Sequence, residues 1–497
     1  MNLTSTFNTV ISRRNILLGG ATSLATLALP RPLRALTNEG ARRILVLGAG
    51  MAGLTAALSL LRRGHDVTVI EAQDRIGGRL LSLPLGDGMF TEAGGGHFRS
   101  NMPYVLNYIR QFDLPLLALN DGLPRYLVDG QTGDAAHLDA WPWKLDPEER
   151  NVSLSSTLNR YLERAGFDTD TALDTRWPDP DVMSQIDNMT LSDLIRGVGA
   201  SDGYCKLLNA HAGPFTTGSH ALAMIPRVAY HFGDKNLFRI QGGNNRLPMA
   251  MAKVIGLERI KLGSAVAEID QNGSSVRVTT HNGKDFHGDA VISTIPFSVI
   301  GDVKVAPGWS AGKTRLFREM EWDKTVKVIV KTRTPSWLSK GVYGWPMAGG
   351  DRPWERVIDI TGNEPGGHGS VFFYLNGPNA EAALKQPKSE RARWVFDQFQ
   401  ADMPDLIDEA LSMDSFAWSE QPWIKASFGG PPIGGGWMIG ECAKPEGRIH
   451  FAGDFTTLKM GWVEGAIESG LRAARQIDRN ARPEGSPNIR QEFQSAK

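Results

Sequence analysis

The stretch from Arg43 to Arg79, RILVLGAGMAGLTAALSLLRRGHDVTVIEAQDRIGGR, limits the architectures open to this chain. A short apolar run, Ile44 to Leu47, has the length and composition of a buried parallel strand. Gly48, Gly50 and Gly53 follow in GxGxxG spacing, then a helical pattern from Met51 to Arg63, then a second strand from Val67 to Ile70 that ends at Glu71. The first glycine permits a tight turn, the second lets backbone approach a pyrophosphate, and the third lets helix and strand pack closely. Met51 and Ala52 stand at the helix N-terminus, where unpaired N–H groups and a partial positive charge suit that pyrophosphate. Glu71 can accept hydrogen bonds from a ribose hydroxyl, with Ala72 beside it. Strand, glycines, helix, strand and acid in this order within one βαβ length predict an α/β domain that holds a dinucleotide.

The end of the stretch narrows the choice. Asp74-Arg75-Ile76-Gly77-Gly78-Arg79 offers two glycines beside two arginines, which suits a second backbone approach to the phosphates. This segment resembles the motif of the flavin-containing amine oxidase family, which includes monoamine, polyamine and L-amino-acid oxidases. The resemblance implies FAD rather than NAD. It also implies a fold: an α/β chain with a discontinuous Rossmann-like FAD-binding domain and an inserted α+β substrate domain.

Three more segments follow in the family's order. In Glu92-Ala93-Gly94-Gly95-Gly96-His97-Phe98, three adjacent glycines cannot hold the interior of a helix or strand and fit backbone pressed against a flat ligand. In the family this segment passes the isoalloxazine ring, which assigns Gly95, Gly96 and His97 to the cofactor. Arg239 to Pro248 is a strand, a glycine turn and the start of a helix, and the strand near Val266 lends backbone to the adenine in relatives. Last come Arg448 to Asp454 and Gly461 to Gly470, which assign Gly453, Asp454, Trp462 and Val463. The closing helix they open can place its N-terminus at the flavin's pyrimidine end, where negative charge develops on reduction.

The chain therefore divides into an export signal and linker (1–38), FAD-binding parts at 39–120, 236–310 and 445–481, a helical part of the substrate domain at 121–235, its sheet part at 311–444, and a tail at 482–497. Local patterns fill in the elements. A hairpin is expected around Gly86-Asp87-Gly88 and a helix over Pro103 to Phe112. Helices are also expected over Leu154 to Ala165 and over Leu191 to Val198, the latter with a Thr190/Asp193 capping box. Val326 to Thr332 reads as a strand with Val326, Val328 and Val330 inward and polar residues outward. Ser427 to Gly440 reads as a glycine- and proline-rich loop.

The family mechanism implied by the resemblance takes hydride from the α-carbon of a neutral amine to flavin N5. The resulting imine hydrolyses to a carbonyl compound plus ammonia or an amine. Lys327 lies where relatives hold a water near N5. Phe428 and Trp462 align with the two aromatic positions that flank the amine, and opposed rings also suit a cationic amine at entry. Ser427 falls where monoamine oxidases carry the cysteine bonded to flavin, and serine forms no thioether, so FAD is expected to be non-covalent. His97 stands where amino-acid oxidases place the arginine that clamps the substrate carboxylate, with Arg99 two residues on. A neutral imidazole is a poor carboxylate clamp beside a bidentate guanidinium. The expected substrate is therefore a small amine without an α-carboxylate, which His97 bonds or whose protonation it tunes. The alternatives are an L-amino-acid oxidase and a non-amine flavin oxidase or desaturase.

Composition excludes other classes. Lysine plus arginine and aspartate plus glutamate number 54 each, so no basic field invites nucleic acid. Two cysteines, Cys205 and Cys442, provide no disulfide framework or metal-ligand spacing, although one bridge between them is conceivable. Arg13-Arg14 precedes a short apolar run, Ile16 to Leu29, too short to span a bilayer and similar to a twin-arginine export signal. A periplasmic location is expected, with oxygen, a cytochrome c or a quinone as electron acceptor. The oligomeric state stays open, a homodimer included.

Overall fold

The computed structural model describes residues 40–119, 122–167, 177–232, 236–340, 344–349, 352–361 and 367–481. The Arg13-Arg14 segment and the tail after Ala481 lie outside the described residues.

The molecule is built on a five-stranded parallel sheet. Its order is Ile260–Lys261, Asp66–Ile70, Arg43–Leu47, Ala290–Ser293 and Ile449–Phe451. Parallel strands are covered on both faces, which explains the unbroken apolar runs read from the sequence. The helix Met51–Leu61 is apolar on all sides, and ten of its residues are buried. It lies between this sheet and two other helices, Arg246–Ile255 and Val463–Ile477. The chain thus visits this layer near its start, middle and end. A four-stranded sheet, Asp285–Gly288, Val276–Thr280, Val266–Asp270 and Lys304–Ala306, packs beside it.

The second layer is a seven-stranded sheet ordered Ala410–Ala417, Val326–Thr332, Gly369–Leu375, Arg356–Asp359, Gly344–Ala348, Gly122–Val128 and Gln131–Asp134. Its last two strands come from the range the sequence reading gave to the helical part. That range otherwise forms helices, among them Leu154–Arg164, Leu191–Gly197, Asp202–Ala212 and Ala221–Phe232. The Thr190/Asp193 capping box forms in full.

Three expectations need correction. The strand Val326–Thr332 has no solvent face, because every residue in it is buried. Val326, Val328 and Val330 pack under the helices Gly377–Leu384 and Lys388–Asp402, while Lys327 and Lys331 face the rest of the protein. The alternation was real, but a lysine can be buried when carbonyls receive its protons. The span Ser427 to Gly440 is not wholly loop: Phe428–Gly430 pairs with Glu321–Asp323, and Trp437–Glu441 is a short helix. Cys205 and Cys442 are both free and buried, so no bridge joins them.

Candidate active site

A single cavity of about 810 Å³ runs from the parallel sheet to the seven-stranded sheet. At one end it is lined by Gly48, Gly50, Met51, Ala52, Glu71, Ala72, Arg79 and Val266. At the other it is lined by Gly95, Gly96, His97, Lys327, Phe428, Trp462 and Val463, and Gly453 and Asp454 join the two where Asp454 meets Arg79. Every residue singled out from the sequence lies on this wall except Gly53. Gly53 works behind it: a Cβ there would sit 2.1 Å from the Gly48 carbonyl oxygen, so only glycine lets the helix approach the turn. Gly48 itself has φ of 111°, a backbone that side chains rarely adopt.

The first end fits a dinucleotide. No side chain caps the helix Met51–Leu61 at Gly50, so the orphan N–H groups of its first turn are open to an anion. Gly50 and Gly78 are so close that a Cβ on Gly78 would lie 3.1 Å from the Gly50 Cα. Glu71 is buried, and its carboxylate oxygens accept from the backbone N–H groups of Ala49 (2.6 Å) and Gln73 (2.9 Å). Burial pushes its pKa up, against those hydrogen bonds. Arg79, read from the sequence as a cofactor residue, lines the cavity and also has a structural part. Its guanidinium pairs with Asp454 and donates to the Ser427 carbonyl, so it ties the first cofactor segment to the last.

The other end is floored by one cross-strand row of the seven-stranded sheet. Phe416, Lys327, Tyr374, Arg356, Met347 and Tyr126 are successive register partners, and all six line the cavity. Side chains on one face of a sheet stand at the same level across neighbouring strands, so register alone assembles this row. Lys327 Nζ donates to the carbonyls of Glu92 (2.9 Å) and Gly94 (2.6 Å), fastening the glycine segment to the sheet. The ammonium also lies 4.4 Å from the Phe372 ring centroid. Burial lowers its pKa to about 7, with the buried Glu92 opposing the shift.

His97 stacks edge-on against Trp462, ring centroids 5.7 Å apart, and its Nε2 is buried without a hydrogen-bond partner. Burial, then the charges of Arg99, Lys327 and Arg356, hold its pKa well below 6.5. The imidazole is therefore neutral. Phe428 is buried and meets Phe215 edge-on at 5.0 Å. A Cβ on Gly461, the neighbour of Trp462, would be 3.6 Å from the Phe428 Cβ, so the two aromatic positions adjoin. Ser427 accepts the Thr325 N–H at its Oγ, 3.1 Å away.

Sequence reasoning missed two residues here, Arg227 and Arg356. Arg227, from the helix Ala221–Phe232, lies over the Phe428 ring at 4.3 Å. It has no hydrogen-bond acceptor and no ion-pair partner among the described residues, and its Nη1 is buried unpaired. Burial lowers its pKa. Arg356 is 9% exposed, and its nearest carboxylate is Glu355 at 4.0 Å. Neither arginine belongs to a local motif, and only the register and one helix position bring them to the cavity.

The family model for flavin-containing amine oxidoreductase matches residues 51–478. A flavin-dependent L-tryptophan oxidase of Lentzea aerocolonigenes is 28% identical over 476 residues, covering 89% of this chain and 99% of that enzyme. An L-amino acid dehydrogenase of Synechocystis sp. is 24% identical over 459 residues, covering 87% of this chain and 94% of that enzyme. Among solved structures, putrescine oxidase bound to putrescine superposes with a TM-score of 0.76 at 19% identity, covering 88% of this chain and 99% of that one. That likeness is one of fold.

Proposed function

The chain belongs to the flavin-containing amine oxidoreductases, it is an FAD-dependent enzyme acting on C–N bonds, and from that premise we propose that it oxidises an L-amino acid at the α-carbon. The observation that carries this reading is Arg227. A guanidinium with its Nη1 buried and unpaired is costly to hold, and a substrate carboxylate relieves that cost. The curated relatives, named for L-amino acids, support the same choice. The expectation of an amine without a carboxylate rested on His97 replacing an arginine, and Arg227 offers the missing charge from another element.

Bound FAD supplies the acceptor for the two electrons of the broken C–H bond. The segments Gly48–Ala52, Glu71–Ala72 and Gly453–Val463 would hold it. The chain's own residues do the rest. Phe428 and Trp462 confine the nitrogen, and Arg227 fixes the carboxylate beside Phe428. The neutral His97 adds no positive charge to repel an incoming ammonium. Lys327, with two of its protons given to carbonyls, has a third to orient a water. FAD binds non-covalently, since serine occupies position 427: acid precipitation should release all yellow colour into the supernatant, and colour in the pellet would refute this.

The test of substrate class is an anaerobic panel of L-amino acids and simple amines, read by flavin bleaching. L-Amino acids should bleach the flavin and 2-phenylethylamine or putrescine should not; the reverse pattern restores the amine reading. Repeating the turnover with oxygen and with cytochrome c identifies the electron acceptor. Arg13-Arg14 supports export in the folded state, which fractionation of cells expressing wild type and Arg13→Lys/Arg14→Lys chains tests.

A further inference from the structure

The substrate end of the cavity holds more positive charge than one carboxylate needs. Arg227 and Arg356 line it as two guanidiniums without an acceptor at hydrogen-bond distance among the described residues, beside Arg99, which has a partner of its own, and Lys327, which gives two protons to carbonyls. The carboxylates that line the whole cavity, among the described residues, are Glu71, Asp302 and Asp454. Each already has its partners. Glu71 accepts two backbone N–H groups at the dinucleotide end, Asp454 pairs with Arg79, and Asp302 pairs with Lys425 at 3.1 Å. Glu355, behind the wall, accepts from the Asn376 backbone N–H at 2.8 Å and its side-chain amide at 3.2 Å. It reaches Arg356 only at 4.0 Å.

The two guanidiniums stand on different walls. Arg227 comes from a helix and sits over Phe428, beside the aromatic pair. Arg356 comes from the sheet floor, with its guanidinium carbon 5.8 Å from the Tyr374 ring. Two places along the same floor, past Met347, Tyr126 donates to or accepts from His211 Nδ1 at 2.9 Å. The charges of Arg356 and Arg99 join burial in keeping that histidine neutral. One cationic anchor therefore adjoins the amine position, and a second, flanked by hydroxyl and imidazole groups, lies further along the floor.

Resting on the L-amino-acid reading, we propose that the substrate carries a second carboxylate in its side chain, as aspartate or glutamate does, held by Arg356 with Tyr374 and Tyr126 while Arg227 holds the α-carboxylate. A neutral side chain would leave Arg356 buried without a full counter-charge. A site built for a polar substrate group rejects the analogue that lacks it, by as much as ~10⁴-fold in kcat/KM.

The experiment compares L-glutamate and L-aspartate with L-glutamine, L-leucine, L-tryptophan and 2-phenylethylamine on the FAD-loaded enzyme. The acidic amino acids should exceed glutamine in kcat/KM by ~10²-fold or more. Equal or better turnover of glutamine, leucine or tryptophan overturns this proposal and leaves the L-amino-acid reading intact. Oxidation of 2-phenylethylamine alone overturns both. In Arg356→Gln the ratio of glutamate to glutamine turnover should fall toward or below one. A uniform loss on every amino acid, with FAD still bound, would instead mean that both arginines grip one carboxylate, and would also overturn the proposal. The wild-type panel decides independently if that variant fails to fold.

Discussion

Lys327 is a tie within the fold to which the proposed function adds a chemical task. Its two hydrogen bonds to the 92–94 segment hold the glycines against the sheet, and its third proton remains available to the cavity. Lys327→Met keeps the length and removes every donor. Flavin reduction or reoxidation, followed by stopped flow, should slow by about 10²-fold, the usual scale for a positioned proton-handling group. Unchanged rates would reduce Lys327 to a structural fastener. Its pKa of about 7 adds a pH signature. The step it assists should change across neutral pH in wild type and lose that inflection in the methionine variant.

At the scale of elements, the first and last helices of the FAD layer cross in close contact. A Cβ on Gly470 would lie 2.3 Å from the Ala52 carbonyl oxygen and 3.1 Å from the Thr55 Cβ. Gly470→Leu must push Val463–Ile477 away from Met51–Leu61, at a cost of about 1–3 kcal/mol. A lower melting temperature and weaker FAD retention are expected; a variant with wild-type melting would show that the helices separate freely. The elements of this layer were legible because their signals are local: a turn, a cap, a run of apolar residues. The floor of the cavity was not. Tyr374, Arg356 and Tyr126 are far apart in sequence, and only strand register sets them in a row with Lys327. The period-two pattern of Val326–Thr332 gave its two faces correctly, but not what covered each. Arg227 lies on a largely buried helix with a proline inside it, and nothing nearby in sequence marks it as facing a ligand.

Across the whole molecule, burial of acids should shape stability against pH. Glu92, Asp323 and Glu464 all have pKa values raised to about 7 by burial. A carboxyl whose folded pKa is raised contributes stability that is fully present below its unfolded pKa and lost as pH rises through the folded one. Buried Lys327, lowered to about 7, acts in the opposite sense above neutrality: its penalty fades as pH rises toward its unfolded value. Glu464 isolates one contribution, since its carboxylate does not line the cavity and accepts the N–H groups of Tyr104 and Val105 at the start of the helix Pro103–Gln111. The melting temperature of wild type relative to Glu464→Gln should fall between about pH 4.5 and 7. A constant difference would mean that Glu464 stays ionised throughout.

The pairing of Arg79 with Asp454 has a consequence for biosynthesis. The cradle's opening segment leaves the ribosome early and waits for a counter-ion encoded near the chain's end. Under the proposed cofactor site, enclosure of the flavin must await the synthesis of Asp454: a nascent chain stopped short of it would display its first βαβ unit yet lack the wall that would retain the cofactor.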